Sequence, residues 1–150
     1  MISVEPIDPA ALLASFLHEQ RAAGAVVSFV GTVRGGGVEA LELDHHSSFT
    51  ATVIDRIAAD ARGRFAIADC LVVHRVGRLL PGEPILFVAT ASAHRRAAFE
   101  ALDYLMDRLK TEAPLWKREH RADGAEWIEA RASDLVDRAR WDEGGGHADR

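Results

Sequence analysis

The stretch that most restricts the fold is residues 84–114, where an apolar run, PILFVATAS, passes without a linker into AHRRAAFEALDYLMDRLKTEAP. An unbroken run of apolar or small residues reads as a buried strand. Phe99, Leu102, Leu105, Met106 and Leu109 then recur at helical spacing from about residue 94 to residue 112, and Pro114 marks the end. A buried strand feeding a one-sided helix calls for a sheet with helices packed on it.

The rest of the chain supplies the other elements. Asp8-Pro9 has the form of an N-cap followed by proline at N1, and Leu12, Leu13, Phe16, Leu17 and Gln20 continue a helix that Gly24 can stop. AVVSFVGTV, residues 25–33, is expected to be a strand covered on both faces, broken by the glycines at 35–37. EALELDH alternates and should pair back onto that strand. Ser47 or Ser48 can cap a second helix with Phe49, Val53, Ile54, Ile57 and Ala61 on one stripe before Gly63. IADCLVVHRVG and PILFVATAS, separated by the turn LLPGEP, should be sheet neighbours. PLWKRE is extended, ADGAE is a turn and EWIEA a short strand. The order α-β-β-α-β-β-α-β favours an α+β fold, with one domain over residues 1–132. Residues 133–150 form a tail with a helical turn or two and a frayed GGGHADR end.

Charge and composition remove several function classes. A formal charge of −5 argues against a general nucleic-acid or anionic-membrane binder. No apolar run approaches the roughly 20 residues of a membrane span, and the N-terminus lacks a basic segment followed by an apolar one. The expected location is the cytoplasm. The single cysteine, Cys70, sits in an apolar stretch and reads as a small buried hydrophobe.

Chemistry-bearing residues gather at the two ends of the 94–112 helix. His94, Arg95 and Arg96 lie at its N-terminus, where cations are unfavourable by a few tenths of a kcal/mol unless an anion completes the arrangement. Phosphate is the natural candidate, and solvent-facing residues paired with carboxylates such as Glu83 are the other reading. Lys110 lies in the last turn, where its stem can cover the apolar stripe. Lys117 lies in the strip that follows and can fold back across the helix end toward Lys110. Clustered, partly buried amines depress one another's pKa, leaving a base or nucleophile near neutrality. The adjacent His45 and His46 would point to opposite faces of a strand and cannot share a metal from there. His74, inside an apolar strand, reads as a hydrogen-bonded core or rim residue. No metal site and no cofactor is expected.

SFVGTVR, HRVGRLLPGE, SAHRRAAFEA, LKTEAPLWKRE and EWIEAR, in this order and spacing, resemble the signature stretches of the molybdopterin synthase large, catalytic subunit family, over residues 25–131. The resemblance implies an α/β hammerhead fold with a ferredoxin-like portion, and a mixed or antiparallel sheet with helices packed on it. It implies a sulfurtransferase that builds the dithiolene of molybdopterin from cyclic pyranopterin monophosphate. Its implied partners are a twin subunit and a small ubiquitin-like carrier bearing a C-terminal Gly-Gly thiocarboxylate, together a heterotetramer. The family's catalytic lysines fall on Lys110 and Lys117. Its substrate-binding positions fall on Thr32, Val33, Arg34, His94, Arg95, Lys110, Lys117, Arg118 and Glu119, with Arg131 as a further candidate. In the expected division of labour Arg34, His94 and Arg95 hold the phosphate, Lys117 orients or neutralises the pterin, and Lys110 moves protons or attacks the carrier. The chain departs from the family in a short RGGGVEA loop and in His46 and Phe49, where tyrosine and methionine are common. An anion-binding module of the same fold, or a phosphohydrolase or Schiff-base lyase built on Lys110, are the rival readings.

Overall fold

The computed structural model describes residues 1–129 and 131–142. A two-residue strand, β1 (Ile2–Ser3), precedes α1 (Pro9–Glu19), which Asp8 caps by accepting from the Ala10 and Ala11 N–H groups at 3.0 and 3.1 Å. The helix ends at Gln20 rather than at Gly24. Gly24 serves another purpose, because a Cβ there would run into the Ala93 carbonyl where β2 starts beside the end of β6. The chain continues through β2 (Ala25–Thr32), β3 (Ala40–His45), α2 (Ser47–Arg64), β4 (Asp69–Arg75), β5 (Gly77–Leu79) and β6 (Pro84–Ser92). It closes with α3 (Arg95–Glu112), β7 (Leu115–Arg121), β8 (Gly124–Ile128) and α4 (Ala132–Ala139).

The architecture is α+β, with two four-stranded sheets. The first has the order β1-β4-β6-β2, with β1 parallel to β4 and the other pairs antiparallel. The second, β5-β3-β7-β8, is antiparallel throughout. The β4–β6 pairing is the expected one. β3, expected to pair with β2, pairs instead with β5 and β7. Its alternation correctly put Leu41 and Leu43 inward but carried no information about which strand would lie beside it.

α2 and α3 cover one face of the first sheet, where Val53, Ile54, Ile57, Val72, Val88, Leu105 and Leu109 form the main core. α1 covers the other face through Phe16, which packs with Val73, Phe87 and Ala89. β2 departs from expectation: it is an edge strand joined only to β6, and Phe29 and Val30 remain 36% and 42% exposed. Phe49 and Phe99, assigned to buried stripes, are also exposed, at 57% and 59%. Phe49 sits in the first turn of α2, which His46 precedes as N-cap without a side-chain bond, so neither Ser47 nor Ser48 is the cap.

The expected boundary between residues 132 and 133 falls inside α4, which packs along α3. Asp107 on α3 accepts from Trp141 Nε1 and Arg140 Nη2, each at 2.7 Å, and Glu112 accepts from Arg138 at 2.9 Å. The frayed end expected for GGGHADR lies outside the described residues. No helix among the described residues is long and apolar enough to cross a membrane.

Candidate active site

A cavity of about 670 Å³ opens where the C-terminal end of α3 meets the second sheet. Strand parity decides which side chains enter it. In β7, Lys117 and Glu119 stand opposite Leu43 and Leu41 of β3, so they share the inward face of that sheet. Both line the cavity. Arg118, one residue out of phase, points to the other face and stacks over Trp127, 4.5 Å from the ring centroid. The structure therefore separates Arg118 from its expected companions, since successive strand residues cannot face the same way.

Lys110 reaches the cavity from the last turn of α3 and Arg34 from the segment after β2. Thr32 and Val33 form the adjoining wall. The Val33 N–H donates to the Glu83 carbonyl at 3.0 Å, and the Val33 carbonyl accepts from Gly82 at 2.9 Å. Arg131, Ser133 and Asp134, at the start of the last helix, complete the rim. Asp134 was not anticipated, although its place three residues after Arg131 is that of an N3 acid, and its carboxylate does accept from the Arg131 N–H at 3.3 Å. His74 also lines the cavity, from β4.

The amines are not equivalent. Burial, then the nearby Lys110 charge, hold the half-buried Lys117 amine below the usual lysine range, with Asp134 opposing them. Lys110 is half exposed and has Asp134 Oδ1 3.5 Å from its Nζ. The two amines thus differ in surroundings, Lys117 half-buried and of lowered basicity, Lys110 half exposed beside Asp134.

His94 and Arg95 lie elsewhere. His94 is the N-cap of α3, its N–H donating to Ser92 Oγ at 3.3 Å, and Arg95 is exposed beside it. From Arg95 to Lys110 the helix axis runs roughly 22 Å at 1.5 Å per residue, so within one chain these residues and Arg34 occupy opposite ends of α3. Glu83 does not neutralise them. It pairs with Arg75 at 3.2 Å, and Arg96 approaches Glu100 at 3.9 Å.

The arrangement brings two amines, one of reduced basicity, and two arginines together with Glu119, Glu129 and Asp134 around a cavity that Ile85, Leu86, Met106 and Leu109 line with apolar groups. It suits a ligand with an apolar part and an anionic group. Comparison with known proteins agrees in kind. A family described as MoaE protein matches residues 2–112. The molybdopterin synthase catalytic subunit of Caulobacter vibrioides is 50% identical over 141 residues, covering 93% of this chain and 94% of its own. A molybdopterin biosynthesis MoaE protein from Burkholderia ambifaria superimposes with a TM-score of 0.80 at 44% identity, over 94% of this chain and 95% of its own. A molybdopterin synthase structure from Staphylococcus aureus gives a TM-score of 0.73 at 28% identity, covering 85% and 95%.

Proposed function

The chain belongs to the MoaE family, the catalytic subunits of molybdopterin synthase, and on that premise we propose that the Lys110–Lys117 cavity is where sulfur is joined to the pterin. It is a sulfurtransferase of molybdenum cofactor biosynthesis. The substrate is cyclic pyranopterin monophosphate, and sulfur arrives as a thiocarboxylate on the Gly-Gly tail of a small ubiquitin-like carrier. The observation that carries this reading is the pair of unequal amines on one cavity.

Thiocarboxylate, cyclic phosphate and the carboxylate left on the carrier are all anionic, so a cationic rim gathers them and stabilises charge that develops during transfer. The carrier's thiocarboxylate sulfur bonds to a carbon of the pterin substrate as an oxygen leaves that carbon. Water then cleaves the acyl–sulfur bond, so that the sulfur stays on the pterin and the carrier is left as a carboxylate. Lys117, on the fixed frame of β7, takes up the proton from that water. Lys110 pairs with the carboxylate that is released. A Gly-Gly tail is thin enough to enter as an extended strand. An oxidisable thiocarboxylate fits the reducing cytoplasm, which is the proposed location.

The phosphate subsite is completed by a twin. Arg34 supplies one wall, and His94 of the partner subunit and Arg95 of the partner subunit supply the other, because one chain cannot bring these residues together across the length of α3. Burial of the exposed Phe29 and Val30 on the β2 edge favours the same assembly. The working unit is a homodimer with a carrier at each end, and residues 1–142 act as one catalytic unit because α4 contributes Asp134.

Reconstitution tests this directly. The chain, thiocarboxylated carrier and cyclic pyranopterin monophosphate should yield dithiolene product, and no product would refute the reading. Mixing Arg95→Ala subunits with Lys117→Ala subunits should recover activity that neither has alone. Absence of recovery would refute the shared site.

A further inference from the structure

His74 is 6% exposed, and the sulfur-transfer scheme gives it no part. On β4 it follows Cys70 and Val72 on the face that packs beneath α2 and α3, and its register partner Leu86 shares that face. Its ring therefore enters the cavity wall beside Leu86, Met106 and Leu109. Its Nδ1 lies 2.8 Å from the Arg75 carbonyl oxygen. A carbonyl can only accept, so Nδ1 carries the proton and, in the neutral ring, Nε2 is a bare acceptor. Burial first, and the charges of Lys117 and the N-terminus after it, bring the ring's pKa down to about 4, so it is neutral at physiological pH.

His74 thus adds an acceptor beside the apolar Leu86, Met106 and Leu109 in a cavity that also carries Arg34, Lys110, Lys117 and Arg131 together with Glu119, Glu129 and Asp134. Lys117 is near enough for its charge to act on the ring. An acceptor set in an apolar wall selects a ligand that brings an N–H to it, because a ligand lacking one leaves the nitrogen unpaired. We propose that His74 contacts the substrate, its Nε2 accepting a hydrogen bond from an N–H of the pterin heterocycle and so fixing the ring against Leu86, Met106 and Leu109. This rests on the functional reading above and adds to it the orientation of the substrate.

Two variants separate contact from scaffold. The amide of His74→Asn reproduces Nδ1 and keeps the bond to the Arg75 carbonyl, but puts nothing at Nε2. His74→Gln extends an amide to the Nε2 position. In the full chain assembled with its carrier, His74→Asn should raise KM for cyclic pyranopterin monophosphate about tenfold, with kcat and Tm near wild type. His74→Gln should return KM to within about threefold of wild type. An unchanged KM in His74→Asn, or equal losses in both variants, overturns the contact while leaving the activity standing.

Binding reads the same contact without turnover. The fluorescence of 6-carboxypterin titrated with the three proteins should show an affinity loss in His74→Asn that His74→Gln restores. In the wild-type chain, the ¹⁵N resonance of Nε2 should shift when 6-carboxypterin binds, a readout independent of how either variant folds. A resonance that does not move overturns the proposal. Failure of wild-type turnover with a shifted resonance would instead count against the enzyme reading alone.

Discussion

Lys110 Nζ lies 3.5 Å from Asp134 Oδ1, so the last helix of the chain supplies the counter-charge for an amine of the third. Asp134 does two jobs at once, since the same carboxylate accepts the Arg131 N–H that begins α4. Its charge also works against the forces that hold the Lys117 amine down.

Replacing Asp134 by Asn should therefore lower the Lys117 pKa further, because the carboxylate that raises it disappears while burial and Lys110 remain. If the neutral Lys117 amine is the working form, the rising limb of the pH–rate profile moves to lower pH. Asp134→Glu should move it back. A limb that stays in place in Asp134→Asn would mean that the amine acts in its charged form. Arg34, His74, Glu119, Glu129 and Arg131 face the same cavity and are unchanged in either variant.

The His74 ring makes stability depend on mildly acidic pH. Its pKa is 6.5 in the unfolded chain and about 4 in the folded one. Between these values the unfolded chain binds more protons, so stability falls as pH drops, by about 3 kcal/mol over the whole window. Glu42, Glu83 and Glu112, whose carboxyls are held below the ordinary 4.5, add losses only at lower pH. Urea unfolding between pH 6.5 and 4.5 should show a slope in wild type that His74→Gln lacks. Equal slopes would contradict the buried neutral ring.

Asp107 is the anchor of the C-terminal segment. It is 8% exposed and accepts from both Arg140 and Trp141. Asp107→Ala should cost about 2 kcal/mol and loosen α4, since Trp141 Nε1 loses its acceptor. Trp116 and Trp127 are each 53% exposed, so Trp141, edge-on to Tyr104 at 5.5 Å, supplies the blue part of the emission. A red shift in the variant checks the prediction. Unchanged emission and stability would contradict it.

The frame of the fold was legible because β6 and α3 carry unbroken periodic signals and Asp8-Pro9 marks a helix start. Strand partners were not. β7 reads LWKREHR, with Lys117 and Glu119 on its inward face where a core strand would carry apolar residues, so its place beside β3 left no hydrophobic trace. β1 and β5, of two and three residues, are too short for any period to appear. β2 shows the opposite limit: its apolar run reads as a strand covered on both faces, whereas it lies at a sheet edge with Phe29 and Val30 exposed.

The candidate site was legible in its residue types but not in its geometry. Lys110, Lys117, Thr32, Val33, Arg34 and Glu119 line one cavity, whereas Arg118 faces away and His94 and Arg95 sit at the other end of α3. Strand parity and helix length account for both outcomes. His74 reads from the sequence as a hydrogen-bonded core or rim residue, and the fold shows it bonded to the Arg75 carbonyl where the core ends in a cavity.

The central claim is that Lys110 and Lys117 together carry sulfur transfer. Single-turnover mixing of carrier thiocarboxylate with cyclic pyranopterin monophosphate and the Lys110→Ala/Lys117→Ala chain tests it most directly. A fall of about a thousandfold or more in the rate of dithiolene formation, with carrier binding intact, is the predicted result. A rate within about tenfold of wild type would contradict the account.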